Sequence, residues 1–173
     1  MIVSLRSEPQ ERLERLVAAV TAVPARYRGL LERFGDLDEI DAMLRDRGEP
    51  TSWSALEHIH HVADALHSWA KDVVAVADDD APHRHSLPMD VPRTGSNGAP
   101  SRVVLAALHA AAIDLSRAAS RVAVERSRAR AAGDELATKV SEMLEEALDE
   151  AEAHLAQVDA VLGTAVRRRL QPA

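Results

Sequence analysis

Glu150 and His154 stand one helical turn apart in a segment of helical periodicity, and this pair is the clearest sign of chemistry in the chain. Residues four apart on a helix share one face, so this carboxylate and this imidazole can reach a single ion. On a helical wheel, His154 lies within an apolar stripe and Glu150 lies at its edge. A carboxylate held against aliphatic side chains is costly unless a cation or a hydrogen-bond donor meets it. The pair therefore indicates either a metal site or a Glu–His pair that offsets its own desolvation.

A second group of imidazoles follows Trp53 on another predicted helix. It consists of four residues at an unusual density: His58, His60, His61 and His67. Metal sites in helical bundles are built from side chains on facing helices, and a neutral imidazole is a common ligand of zinc, nickel or iron. Periodicity alone does not choose among the four. His58 and His60 flank the apolar stripe at Ile59, and spacing alone favours His60 as the partner of the Glu–His pair.

Four long helices are predicted to position these side chains, because apolar residues recur every three or four positions and strand patterns are nearly absent. The predicted helices cover about residues 7–31, 51–77, 101–130 and 134–169. Pro24 is expected to break or kink the first helix. Thr51 or Ser52 is expected to cap the second helix, with Trp53 just inside it. Gly133 is expected at the corner before the last helix.

The connections between these helices differ in character. Residues 36–49 form an acidic, partly helical connection, and residues 78–100 hold four prolines and two glycines that exclude a helix or strand. Loops of about 20 residues are often lids or binding segments. The sequence thus predicts an all-α fold, a four-helix bundle with a long Pro/Gly-rich loop between its second and third helices, in a single domain over residues 1–173.

The composition argues against several classes of function. Aromatic residues make up 2% of the 173 residues and hydrophobic residues 46%, so the core must be aliphatic. A net charge of −7 argues against nucleic-acid binding, which needs a basic face to displace counterions. With no cysteine, the chain has neither a thiolate ligand nor a nucleophilic thiol. No apolar stretch approaches the roughly 20 residues of a membrane span and no signal-peptide pattern is present, so we expect a cytoplasmic protein without membrane contact.

Two short segments resemble a known superfamily. The run Trp53-Ser54-x-x-Glu57-x-x-x-His61-Val62-x-Asp64 is similar to the second-helix signature of the DinB/YfiT-like superfamily, which includes the mycothiol-dependent maleylpyruvate isomerases. In that signature the first metal-binding histidine follows the tryptophan by eight residues. The segment Glu150-x-x-x-His154-x-x-Gln157 resembles the last-helix motif of the isomerase branch. In motif terms the resemblance covers these two segments, and in architecture it covers most of the chain.

The resemblance implies that His61, Glu150 and His154 are the metal ligands, in one DinB-like helical domain. Two imidazoles and one carboxylate leave a divalent ion with an open position and a net positive charge, as in a catalytic site. Zinc is the expected metal, with nickel or iron as alternatives. Because the chain has no cysteine, thiol chemistry requires a small thiol as cosubstrate, which the resemblance implies to be mycothiol.

We therefore expect a metal-dependent thiol transferase, isomerase or hydrolase that acts on a small molecule, and the resemblance is compatible with a homodimer. The alternative is a non-catalytic bundle in which the metal, or the Glu–His pair itself, is structural or supports oligomerisation. Neither reading indicates a particular catalytic or thiol-binding residue.

The remaining candidates have simpler interpretations. Glu57 is expected to cap its helix or to orient a ligand histidine. Trp53 and Trp69 are expected to be packing residues, although Trp53 could also wall the metal pocket. His83 and His85 are expected in a solvated loop.

Overall fold

The computed structural model describes residues 7–49, 51–78, 98–125 and 130–170, and over these residues the protein is all-helical. Within these ranges the side chains are described everywhere except at residues 123–133. Within these ranges there are five helices and no strand. They are α1 (Glu8–Glu32), α2 (Leu37–Leu44), α3 (Ala55–Ala77), α4 (Ser101–Glu125) and α5 (Arg130–Leu170). The predicted all-α class is confirmed over these residues. The helix count is one higher than predicted, because the acidic connection contains the short helix α2.

The four long helices surround one aliphatic core. Helices α1 and α3 each pack against both α4 and α5. The apolar stripe of α4 is buried in full, and it consists of Val104, Leu108, Ala111, Leu115, Ala118 and Val122. Alanines alternate with leucines and valines along these faces, so small and large side chains interlock and few aromatic rings are needed to fill the interior.

Pro24 was expected to break or kink α1, and the helix continues through it without a break. A proline inside a helix removes one backbone hydrogen bond and crowds the preceding turn. Here the residues on both sides of it, Val20, Val23 and Tyr27, are at most 2% exposed. Their burial against α4 and α5 keeps the two halves of α1 in one helix, so tertiary packing outweighs the local cost.

Helix α3 is capped by Ser54, not by Thr51 or Ser52 as predicted. The Glu57 N–H donates to Ser54 Oγ at 3.2 Å, and the Ser54 N–H donates to Glu57 Oε2 at 2.8 Å. This reciprocal capping box requires an acidic or amide side chain three residues after the cap, and of the three candidate caps Ser54 alone has one. Trp53 consequently lies before the helix instead of inside it.

Helix α5 begins at Arg130, so Gly133 lies within the helix and not at a corner. A helical glycine costs only about 1 kcal/mol relative to alanine, which a 41-residue helix tolerates. Of the predicted long loop, residues 79–97 lie outside the described residues, as do His83 and His85.

One segment of α4 contradicts the expectation that no stretch approaches a membrane span. In the described part of the chain, Ser101–Val122 has the length and composition to cross a membrane, with a mean hydropathy of 1.3. The same segment supplies the buried α4 stripe, and 44% of it is buried within the protein. Its apolar character is thus used in packing, as in other core helices.

Candidate metal centre

His61, Glu150 and His154 come together where α3 packs against α5. One nitrogen from each imidazole and one carboxylate oxygen all lie within 4.8 Å of one another. His61 Nε2 is 3.0 Å from Glu150 Oε1. Ligand atoms bonded to a tetrahedral ion at about 2.1 Å are about 3.4 Å apart, so the His61–Glu150 pair is close to the spacing that an ion such as zinc imposes. The three side chains predicted as ligands thus form a group that could hold a metal ion.

The electrostatic setting favours the protonation states of metal ligands. The hydrogen bond from His61 lowers the pKa of the Glu150 carboxyl group, against the opposing effect of its burial. Burial lowers the pKa of His154, and the nearby His61 lowers it further. Near neutral pH, Glu150 is therefore an anion and His154 a neutral imidazole. These are the forms that bind a cation.

Access to the group is uneven. His154 is only 6% exposed, whereas the side chains of His61 and Glu150 are 11% and 24% exposed. Solvent therefore reaches the group at His61 and Glu150, whereas His154 lies deeper in the protein.

Both tryptophans of the chain contact this group. The Trp53 ring centroid lies 5.2 Å from that of His61 and 5.9 Å from that of His154, and it is nearly parallel to the His154 ring at 15°. Trp69 Nε1 points at Glu150 Oε2 across 3.5 Å. Trp53 therefore forms a wall of the site, which is the second of the two roles that its sequence position suggests. Trp69 does more than pack, because its N–H faces a candidate ligand.

His58, one of the candidate imidazoles on α3, contacts His154 and is not one of the three residues whose atoms lie within 4.8 Å of one another. The two Nδ1 atoms are 2.9 Å apart, and both residues are 6% exposed. Burial lowers the pKa of His58 to about 4, and the nearby His154 and His61 act in the same direction. His58 precedes His61 by one helical turn, and that spacing was a signal that both face α5.

The histidine favoured by spacing alone lies away from the group. His60 is half-buried, and its Nδ1 is 3.4 Å from Asp64 Oδ2 on the next turn of α3. His67 is exposed. The helical wheel measures direction relative to the average buried face of α3, whereas the site lies at the edge where α3 meets α5. That edge is defined by tertiary packing, so the wheel could not distinguish His60 from His61.

Glu57 holds the beginning of α3 in place, and in the described part of the chain its side chain bonds to Ser54 and Arg47 and not directly to a candidate ligand. Its side chain is 2% exposed, and it forms a buried ion pair with Arg47, whose Nε donates to Glu57 Oε2 at 3.0 Å. Both of its described roles, the capping box and this ion pair, fix the turn from which His58 and His61 extend. The capping interpretation of Glu57 is confirmed.

Tyr27 fixes the other side of the site. Its hydroxyl donates to the Ala151 carbonyl oxygen at 2.7 Å, next to Glu150 on α5, and burial raises its pKa. Sequence patterns gave no sign of this contact, which joins residues 124 positions apart. Gln157, part of the resemblance motif, is exposed and lies outside the group.

Comparisons with protein-family models, with curated proteins and with solved structures found no match for this chain. The likeness to the DinB/YfiT-like superfamily therefore rests on segments 53–64 and 150–157 and stays a prediction.

Proposed function

We propose that this protein binds a divalent metal ion through His61, Glu150 and His154 and uses it in chemistry on a small molecule. The observation that carries the proposal is the convergence of two imidazoles and one carboxylate from two facing helices within 4.8 Å. Carboxylates and buried histidines placed so closely need a cation or a closed hydrogen-bond network to offset their desolvation.

An open coordination position favours a catalytic ion over a structural one. Structural zinc sites are closed by four protein ligands, and in the described part of the chain only three candidates meet. Bound there, a divalent ion keeps a net positive charge and supplies a Lewis acid that lowers the pKa of a water or thiol, or polarises a carbonyl. Trp53 bounds the space beside the ligands and would restrict the size of a bound molecule.

The donor set and the composition narrow the metal and the cosubstrate. Two nitrogen donors and one oxygen donor suit zinc, with nickel and iron as alternatives. Because the chain has no cysteine, a thiol must arrive with a small molecule. The resemblance to the DinB/YfiT-like superfamily suggests a mycothiol-type thiol, and with it a transferase, isomerase or hydrolase reaction in the cytoplasm.

One observation favours a second candidate function, that of a non-catalytic bundle. The hydrogen bond between His61 Nε2 and Glu150 Oε1 already satisfies both groups without an ion. In that case the Glu–His pair joins α3 to α5 and contributes to stability alone.

Thiol binding separates these two functions. The zinc-loaded protein and the chelator-treated protein are compared for thermal stabilisation by mycothiol, with the S-methylated form as the control ligand. An open site predicts a rise in Tm with mycothiol in the zinc-loaded protein only. Equal Tm values for the thiol and its S-methylated form, in a protein that holds zinc, would show a structural ion.

A further inference from the structure

We propose that His58 is a positioning residue that fixes the ring and the tautomer of His154 for metal binding. The inference rests on the proposed metal site and deepens it. It starts from the 2.9 Å contact between His58 Nδ1 and His154 Nδ1, which joins the first turn of α3 to the middle of α5.

A single hydrogen atom lies between the Nδ1 atoms of His58 and His154. A neutral imidazole carries a single N–H, and two Nδ1–H groups facing each other at 2.9 Å would repel, so one ring donates and the other accepts. If His154 donates, its Nε2 has a lone pair for an ion. If His58 donates, the proton of His154 sits on Nε2 and blocks that nitrogen. The direction of one hydrogen bond therefore decides whether His154 can be a ligand through Nε2.

Metal binding selects the first arrangement, in which His58 accepts. Ligand histidines usually donate their second N–H to a fixed acceptor, which orients the ring and raises its basicity. That acceptor is commonly a carboxylate or a carbonyl oxygen, and here the imidazole of His58 occupies the position.

The surroundings hold His58 in place for this role. Its ring centroid is 5.1 Å from that of Trp53, which also lies parallel to His154, so both imidazoles are shielded on that side. Its backbone N–H donates to the Ser54 carbonyl oxygen at 3.1 Å, in the turn that the capping box and the Glu57–Arg47 ion pair fix. The nitrogen thus has little freedom to move away from His154.

Two substitutions at His58 separate positioning from packing. His58→Asn places an amide oxygen near the position of Nδ1 and can still accept, whereas His58→Leu fills similar volume and cannot. We expect His58→Leu to weaken zinc binding by about 10- to 100-fold, the usual effect of losing such a partner, and His58→Asn to recover most of that loss. His60→Leu on the same helix is the control and should bind zinc as the wild type does.

Zinc affinity is measured by competition with a chromophoric chelator, and ¹⁵N NMR of the zinc-loaded wild type gives the His154 tautomer. The inference predicts a proton on His154 Nδ1 and the ion at Nε2. Equal affinities of His58→Leu and wild type, equal losses in the Leu and Asn variants, or a His154 that binds through Nδ1 would each overturn it. Each of these results would leave the metal site standing, whereas a folded wild type that binds neither zinc nor nickel overturns both proposals. The NMR measurement needs no variant, so a His58→Leu protein that fails to fold does not decide the matter.

Discussion

His61 Nε2 lies 3.0 Å from Glu150 Oε1, and this contact links α3 to the centre of α5 at the edge of the core. The same two residues belong to the group that could hold a metal ion. An ion held by Nε2 and Oε1 would therefore replace this hydrogen bond. The metal-free protein keeps the ligands near their places, because their own hydrogen bond holds them together.

The capping box at the start of α3 predicts a difference between two nearby serines. Ser54→Ala removes the side-chain acceptor of the Glu57 N–H, and we expect it to lower the free energy of unfolding by about 1 kcal/mol. Ser52→Ala is the matched control, because Ser52 does not cap the helix and its change should stay within about 0.5 kcal/mol. Urea denaturation of the two variants measures the difference. Equal losses of stability would show that the cap is elsewhere.

The lowered pKa of His58 predicts a loss of stability in mild acid. In the metal-free protein its pKa is about 4, below its ordinary value of 6.5. As the pH falls from about 6.5 to about 4, the unfolded chain takes up a proton at this position that the folded chain does not, so the free energy of unfolding decreases. Above pH 6.5 this group makes no contribution to the pH dependence.

Denaturation of chelator-treated protein at pH 7.0 and pH 4.5 tests this expectation. The decrease between the two pH values should be smaller in His58→Asn, which has no titrating group at this position, than in the wild type. His60→Asn is the control, because it also removes a histidine from α3. His60 is half-buried, lies beside Asp64 and is not part of the His58–His154 contact. A decrease of the same size in wild type and His58→Asn would contradict the low pKa of His58.

The positions of both tryptophans predict an optical signal of metal binding. Trp53 lies against His61 and His154, and Trp69 Nε1 faces Glu150 Oε2, so a bound paramagnetic ion would be close to every indole of the chain. We expect cobalt or nickel to quench most of the tryptophan emission with saturation at one ion per chain. Zinc should displace the quenching ion and restore the emission. Quenching that rises without saturation would indicate adventitious surface binding.

Much of the fold follows from local patterns in the sequence. The inward stripes of α3 and α4 are buried as their periodicity predicts, because an amphipathic helix has one way to bury an apolar face. The break expected at Pro24 is absent, because the packing that outweighs the cost of this proline comes from residues far along the chain. The corner expected at Gly133 is also absent, because a glycine can end a helix or lie inside one.

The candidate site divides in the same way. Glu150 and His154 can be predicted from the sequence of one helix, since their spacing and their position on the helical wheel are local properties. The resemblance, and not the spacing, favours His61 over His60, and no sequence pattern indicates the contact of His58 with His154. Both depend on where α3 meets α5, which periodicity within a single helix does not specify.

Zinc stoichiometry tests the central claim most directly. Chelator-treated protein is titrated with zinc and dialysed, and the bound metal is counted in wild type, His154→Ala and Glu150→Gln, with Glu152→Gln as the control. Glu152 lies on the same helix, but its side chain is 55% exposed and pairs with Arg26 at the surface. We predict one tightly bound ion per chain in wild type and in the control, and loss of tight binding in the other two variants. A correctly folded wild type that takes up neither zinc nor nickel would contradict the metal site.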